Sequence, residues 1–114
     1  MDLYPYDPAN GPAVPDLPPI NIGALTIGLG DLFGRASGLV LPRTVLINET
    51  AQEYMLMFSS DPDSVRVIAS WAKRFGGVLD SHVCSTDGTQ YRHICLTFEY
   101  YGVTVDAYTF LPVT

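Results

Sequence analysis

The chain has 114 residues, of which 47% are hydrophobic, and its formal net charge is −6. This length supports one hydrophobic core, and the apolar content is too high for a wholly disordered chain. No apolar run approaches the roughly 20 residues that a membrane span needs. We therefore expect a single soluble domain with no membrane partner.

The first residues and the cysteine content indicate the compartment. The N-terminal sequence MDLYPYDP has neither the basic nor the apolar segment of a signal peptide. Two cysteines are too few for a disulfide scaffold and fit a reducing environment. These features predict a cytoplasmic protein.

The charges are unevenly distributed. Arg66, Lys73 and Arg74 supply half of the six basic residues. Nucleic-acid binding depends on clustered lysine and arginine, so this acidic chain is a poor candidate for direct nucleic-acid binding. A protein partner is expected instead, and a basic or nucleic-acid-binding protein would suit the charge.

Residues 1–22 hold six of the nine prolines. Because proline fixes φ and pushes the preceding residue toward extended geometry, this segment is predicted to be an extended arm. Tyr4 and Tyr6 give it apolar material that could dock in a groove, as polyproline segments do. The arm is either a solvated tail or a contact to its own domain or to a neighbouring chain.

Residues 23–38 form a glycine-rich segment. We expect an apolar loop here, or a short helix over Asp31–Arg35, that covers the edge of the core. Gly28-Leu29-Gly30 does not make a nucleotide-binding loop, because Gly34 comes one residue late and no lysine follows.

The third region, residues 39–114, is predicted to be an α+β domain. Two alternating segments, Leu39–Asn48 and Glu53–Ser59, predict a hairpin. Met55 and Met57 make its second strand apolar on both faces. That strand is therefore expected either to lie inside the sheet or to be covered by the arm.

A helix is predicted after this hairpin. Asp61 and Pro62 suit its N-cap and first position, and Gly76-Gly77 suits its end. Apolar residues recur at three- and four-residue spacing and define the face that must be covered. That face comprises Val65, Ile68, Trp71, Ala72 and Phe75.

Three strands follow, joined by turns at Asp87-Gly88 and Tyr101-Gly102. The second turn pairs Phe98 with Val105 and so aligns an apolar face; the first sets His82 opposite His93. The predicted fold is β-β-α-β-β-β, one mostly antiparallel sheet with a single helix on one face, preceded by the extended arm.

The sheet face opposite the helix carries an aromatic patch with an acidic rim, which is typical of interfaces. Coverage of this face by the arm or by residues 23–38 is an equal alternative. The residues expected to bind a partner are Asp80, His82, Tyr91, His93, Asp106, Tyr108 and Phe110, with Tyr4 and Tyr6 of the arm.

The two histidines and two cysteines are the only candidate zinc ligands of those types. The predicted register separates Cys84 from Cys95 by about 13 Å, which is too far for one tetrahedral ion or a disulfide. A flat sheet face offers no oxyanion hole for a thiol nucleophile. We therefore expect no metal, no cofactor, no catalytic residues and no enzymatic activity.

The segments SVRVIASWAKRFGG and FEYYGVTVDAYTF resemble small uncharacterised proteins of actinobacteria and of their phages and mobile elements, over roughly residues 60–111. The resemblance implies no activity and no catalytic residues. It suggests a phage- or mobile-element-encoded acidic inhibitor or modulator of a host machinery. The alternatives are a structural component of a virion or other assembly that uses the arm, and a small thiol or zinc protein.

Overall fold

The structure, a computed structural model, describes residues 22–113. Neither of the two helices in this part of the chain is long and apolar enough to cross a membrane. The elements in chain order are α1 (Ile22–Arg35), β1 (Thr44–Asn48), β2 (Glu53–Met57), α2 (Asp63–Phe75), β3 (Val78–Thr86), β4 (Thr89–Tyr100) and β5 (Val103–Pro112).

The five strands form one sheet in the order β1-β2-β5-β4-β3. β2 pairs with β5 in parallel, and the other three pairings are antiparallel. Both helices contribute to the core on one side of this sheet, which we call the helix face. The predicted α+β class and the mostly antiparallel sheet are confirmed, whereas the prediction of a single helix is wrong.

The additional helix is α1, which forms where a glycine-rich loop or a short helix over Asp31–Arg35 was expected and begins well before Asp31. Leu25, Leu29, Leu32 and Phe33 recur at helical spacing and contact the core. Gly28 permits the close approach, because a Cβ there would lie 2.7 Å from the Tyr54 hydroxyl oxygen. The helix begins at Ile22, and the rest of the predicted arm lies outside the described residues.

The predicted cap of α2 is present. The Asp61 carboxylate accepts the N–H of Asp63 at 2.9 Å, and Pro62 already has helical geometry with φ −53°. The prediction of the buried face of α2 is wrong at Val65, which is 42% exposed. Ser64 takes the buried place and donates a hydrogen bond to the Ser59 carbonyl at 2.6 Å.

The two tight turns set the strand registers as predicted. Asp87 and Gly88 both have positive φ, as do Tyr101 and Gly102, which is the geometry of the mirror-image turns that favour hairpins. His82 faces His93, and Phe98 faces Val105. The β1–β2 hairpin is also confirmed, with Val45 opposite Leu56.

Trp71 of α2 lies at the centre of the core. Its ring makes an edge contact with Phe58 at 5.8 Å, and its indole N–H donates to the Val40 carbonyl at 2.9 Å. Arg74 donates to the Arg35 carbonyl at 2.8 Å, which ties α2 to the end of α1. The two helices are therefore linked to each other as well as to the helix face of the sheet.

Candidate functional site

The strand residues that alternate away from the helices form a second surface, which we call the outer face. Both helices of residues 22–113 pack against the other side of the sheet. Its members follow from the strand registers. They are Thr44, Leu46, Asn48, Glu53, Met55, Met57, Val78, Asp80, His82, Cys84, Thr86, Thr89, Tyr91, His93, Cys95, Thr97, Glu99, Thr104, Asp106, Tyr108, Phe110 and Pro112.

All the predicted partner-binding residues of the sheet lie on the outer face. Registers across β3, β4 and β5 set His82, His93 and Phe110 in one row. A neighbouring row contains Asp80 and Tyr108 on either side of Cys95. Tyr91 and Asp106 lie in the flanking rows, and the arm residues Tyr4 and Tyr6 lie outside the described part of the chain.

The rings on this face form a continuous aromatic cluster. The His82 and His93 rings are 4.9 Å apart between centroids, and His93 stacks on Phe110 at 4.7 Å. Tyr108 lies 5.8 Å from both His93 and Phe110. Rigid aromatic groups of this kind provide large contact area at low entropic cost, as interface anchors do.

An open depression of about 300 Å³ lies beside the cluster. Its lining is mostly apolar. It is large enough to accept a protruding side chain of a partner. The lining residues are Met55, His93, Cys95, Asp106, Tyr108 and Phe110.

Two carboxyl groups lie close together on the strands beside this depression. Glu53 on β2 and Asp106 on β5 are neighbours because these strands are paired. The hydrogen bond to Asp106, followed by burial and the charge of Asp106, raises the pKa of Glu53 to about 7. Because two close carboxylates repel each other when both are ionised, Glu53 takes up and releases its proton near neutral pH.

Threonine hydroxyls orient two of the carboxylates of the outer face. Thr97 donates to Asp106 at 3.0 Å, and Thr104 donates to Glu99 at 2.8 Å. The carboxylates are therefore held in place at one end of the aromatic cluster.

The histidines differ in environment. Burial and the neighbouring His82 lower the pKa of His93, against the opposing effect of Asp80 and Asp106. The Nδ1 atom of His82 lies 3.7 Å from the Asp80 carboxylate at the more exposed β3 edge. The lowered pKa keeps the His93 ring uncharged at neutral pH.

No lysine or arginine lies on the outer face of the described strands. Arg92, the only basic residue within the strands of residues 22–113, alternates to the other side and donates to the Ser81 hydroxyl at 3.1 Å. Arg43 lines a depression together with Ser64 and Val67 of α2. The outer face thus presents four carboxyl groups, those of Glu53, Asp80, Glu99 and Asp106, without a basic side chain among them.

The cysteines are free and are not opposite each other. Cys84 faces Tyr91, and Cys95 faces Asp80. Burial, with smaller effects of nearby carboxylates, raises the pKa of the Cys95 thiol, so it is a weak nucleophile. Within residues 22–113, no group of three His, Cys, Asp or Glu side chains is arranged to hold a metal ion.

The sequence did not identify Glu53 or Met55 as part of this surface. Both join it through the parallel pairing of β2 with β5, which connects segments about 50 residues apart. The only local signal was the apolar side chain of Met55 on a strand that also has an apolar inner face.

Comparisons with known proteins identify no family or relative for the chain. No protein-family model, curated protein or solved structure matches the chain.

Proposed function

We propose that this chain is a non-enzymatic protein-binding module and that its outer face docks a basic partner. The main support is one contrast: the helix face is covered, whereas the outer face presents an aromatic cluster beside fixed carboxylates. An apolar centre with a polar rim is the usual anatomy of a protein interface.

Charge defines the partner. Four carboxyl groups without a basic residue attract a surface of lysine and arginine, and the depression beside Tyr108 and Phe110 accepts an apolar side chain. A basic partner would favour the ionised form of Glu53, so binding would release a proton near pH 7. A narrower form of the proposal, an acidic inhibitor of a host machinery, is motivated by the net charge of −6.

Site-specific photo-crosslinking tests the proposal. A photoreactive phenylalanine analogue replaces Tyr108 in one variant and Tyr101 in another, and each is irradiated in a lysate of the native cell. Tyr101 is the matched control, because it is a 74% exposed tyrosine at the β4–β5 turn, away from the outer face. We expect a crosslinked protein from position 108 that is missing from position 101.

The captured partner must also depend on the chemistry of the face. Binding of the purified partner should weaken on Phe110→Ala and with rising salt concentration, but not on Tyr101→Ala. Equal crosslinking from both positions, or binding that is independent of Phe110, would contradict the proposal.

A further inference from the structure

The two edges of the sheet differ in how they are protected. β1 has five residues and begins two residues after Pro42. β3 pairs with β4 over nine consecutive residues, Val78–Thr86, without a bulge, proline or lysine. Short edge strands, bulges, proline and lysine are features by which proteins normally protect an exposed sheet edge. Within residues 22–113, no strand lies beyond β3.

The hairpin geometry fixes which backbone groups of β3 point outward. Asp87-Gly88 is a two-residue turn, so its flanking residues Thr86 and Thr89 exchange both hydrogen bonds, and bonded pairs alternate from there. The even-numbered residues of β3 therefore bond to β4. Leu79, Ser81 and Val83 direct their N–H and C=O groups away from the sheet.

We propose that β3 pairs with β3 of a second copy of this chain, antiparallel and with the two-fold axis at Ser81. In this register, Ser81 faces Ser81 of the second copy, Leu79 faces Val83, and Asp80 faces His82. The three outward-directed residues of each copy then form six backbone hydrogen bonds across the axis.

Side-chain complementarity selects this register. Leu79 is 50% exposed and Val83 is 47% exposed, and the pairing sets each of them against an apolar residue. Asp80 and His82 meet twice in non-hydrogen-bonded pairs, where cross-strand side chains are closest. An axis at Asp80 would oppose two carboxylates, and an axis at His82 would leave Asp80 opposite Cys84.

The dimer has a consequence for the whole molecule. A two-fold axis perpendicular to the sheet puts the helices of both copies on one side and joins the two outer faces on the other. Phe110 and Tyr108 remain on the joined face, so dimerisation does not depend on the proposed docking function.

Disulfide trapping of the full-length chain tests the register. In a Cys84→Ser, Cys95→Ser background, Ser81→Cys is compared with Ser85→Cys. Facing Cα atoms at the axis would be about 5.5 Å apart, within the range of a disulfide. The two residues at position 85 would be about 26 Å apart along the strands. We expect oxidation to link the first variant into dimers and to leave the second monomeric.

Charge variants give a second, independent readout by sedimentation equilibrium. The unmodified chain should sediment as a dimer. His82→Asp sets two carboxylates opposite each other twice, so the dissociation constant should rise about tenfold. Asp80→Lys combined with His82→Asp restores opposite charges and should return the constant to within about threefold of the original.

Three results would overturn the proposal. The first is a chain that is monomeric at every concentration up to its solubility limit. The second is equal crosslinking, or none, at positions 81 and 85. The third is a charge-swapped double variant that is no better than His82→Asp.

Discussion

The same strands present two unlike faces. On the helix face, Leu56 and Val105 are fully buried under α1 and α2. On the outer face, the alternating neighbours Met55 and Asp106 line an open depression. Because a strand directs successive side chains to opposite sides, stability and recognition are assigned to alternate residues of one sequence. Substitutions on the two faces should therefore have different consequences.

The largest difference in the free energy of unfolding is expected between two variants in which an aromatic side chain is replaced by alanine. Trp71→Ala removes a fully buried ring from the helix face and should lower the free energy of unfolding by about 3–5 kcal/mol. Phe110→Ala, at a ring that is 37% exposed, should cost less than about 1 kcal/mol while weakening partner binding. Urea denaturation followed by circular dichroism measures both losses. Similar losses for the two variants would show that the outer face is part of the core.

Two glycine-to-alanine substitutions in α1 test the packing on the helix face, with smaller expected changes in stability. Gly28→Ala introduces a methyl group against the Tyr54 hydroxyl and should destabilise the chain by about 1–3 kcal/mol. Gly30→Ala in the same helix meets nothing within 4 Å and should stabilise it by about 0.5–1 kcal/mol. Thermal denaturation of both variants gives the comparison. Effects of the same sign would mean that α1 does not lie against Tyr54.

The smallest effect concerns the outer face and its pH dependence. The pKa of Glu53 is raised from 4.5 to about 7, so the folded chain binds more protons than the unfolded chain between these values. The contribution of Glu53 to the free energy of unfolding therefore falls as pH rises through this window. Glu53→Gln should make that fall shallower, by less than about 1 kcal/mol because the group is partly exposed.

The lowered pKa of His93 acts in the opposite direction, since it makes stability rise with pH just below 6.5. The His93 contribution is present in the unmodified chain and in Glu53→Gln. It therefore cancels when the pH dependence of their free energies of unfolding is compared by urea denaturation between pH 5 and 8. An unchanged slope in Glu53→Gln would contradict the raised pKa of Glu53.

The carboxyl pair can also be tested directly by NMR. Titration of the Glu53 side-chain carbon should give a midpoint near 7, and Asp106→Asn should lower it because the charge that opposes ionisation is removed. Asp80→Asn is the matched control on the same face and should leave the midpoint in place. A midpoint that responds equally to both variants would show a general field effect rather than a specific pair.

The sequence predicted the parts of the fold that depend on local geometry. Two-residue turns set the β3–β4 and β4–β5 registers, so the shared face of His82, His93 and Phe110 could be predicted. The start of α2 was predictable because Asp61 is a good cap and Pro62 suits the first turn.

The parts that were missed depend on contacts between distant segments. The α1 segment was expected to be a loop or only a short helix over Asp31–Arg35, because glycines are poor helix formers, yet Gly28 is what allows the helix to approach Tyr54. The parallel pairing of β2 with β5 has no turn that encodes it. Glu53 and its raised pKa could not be predicted without that pairing.

Hydroxyl-radical footprinting of the chain, alone and bound to its partner, measures whether the outer face is open in the free chain and covered in the complex. We expect Tyr108 and Phe110 to be modified in the free chain, unlike the buried Trp71, and to be protected in the complex, whereas Tyr101 should react in both. Protection of Tyr108 and Phe110 to the level of Trp71 in the free chain, or no change on binding, would contradict this expectation.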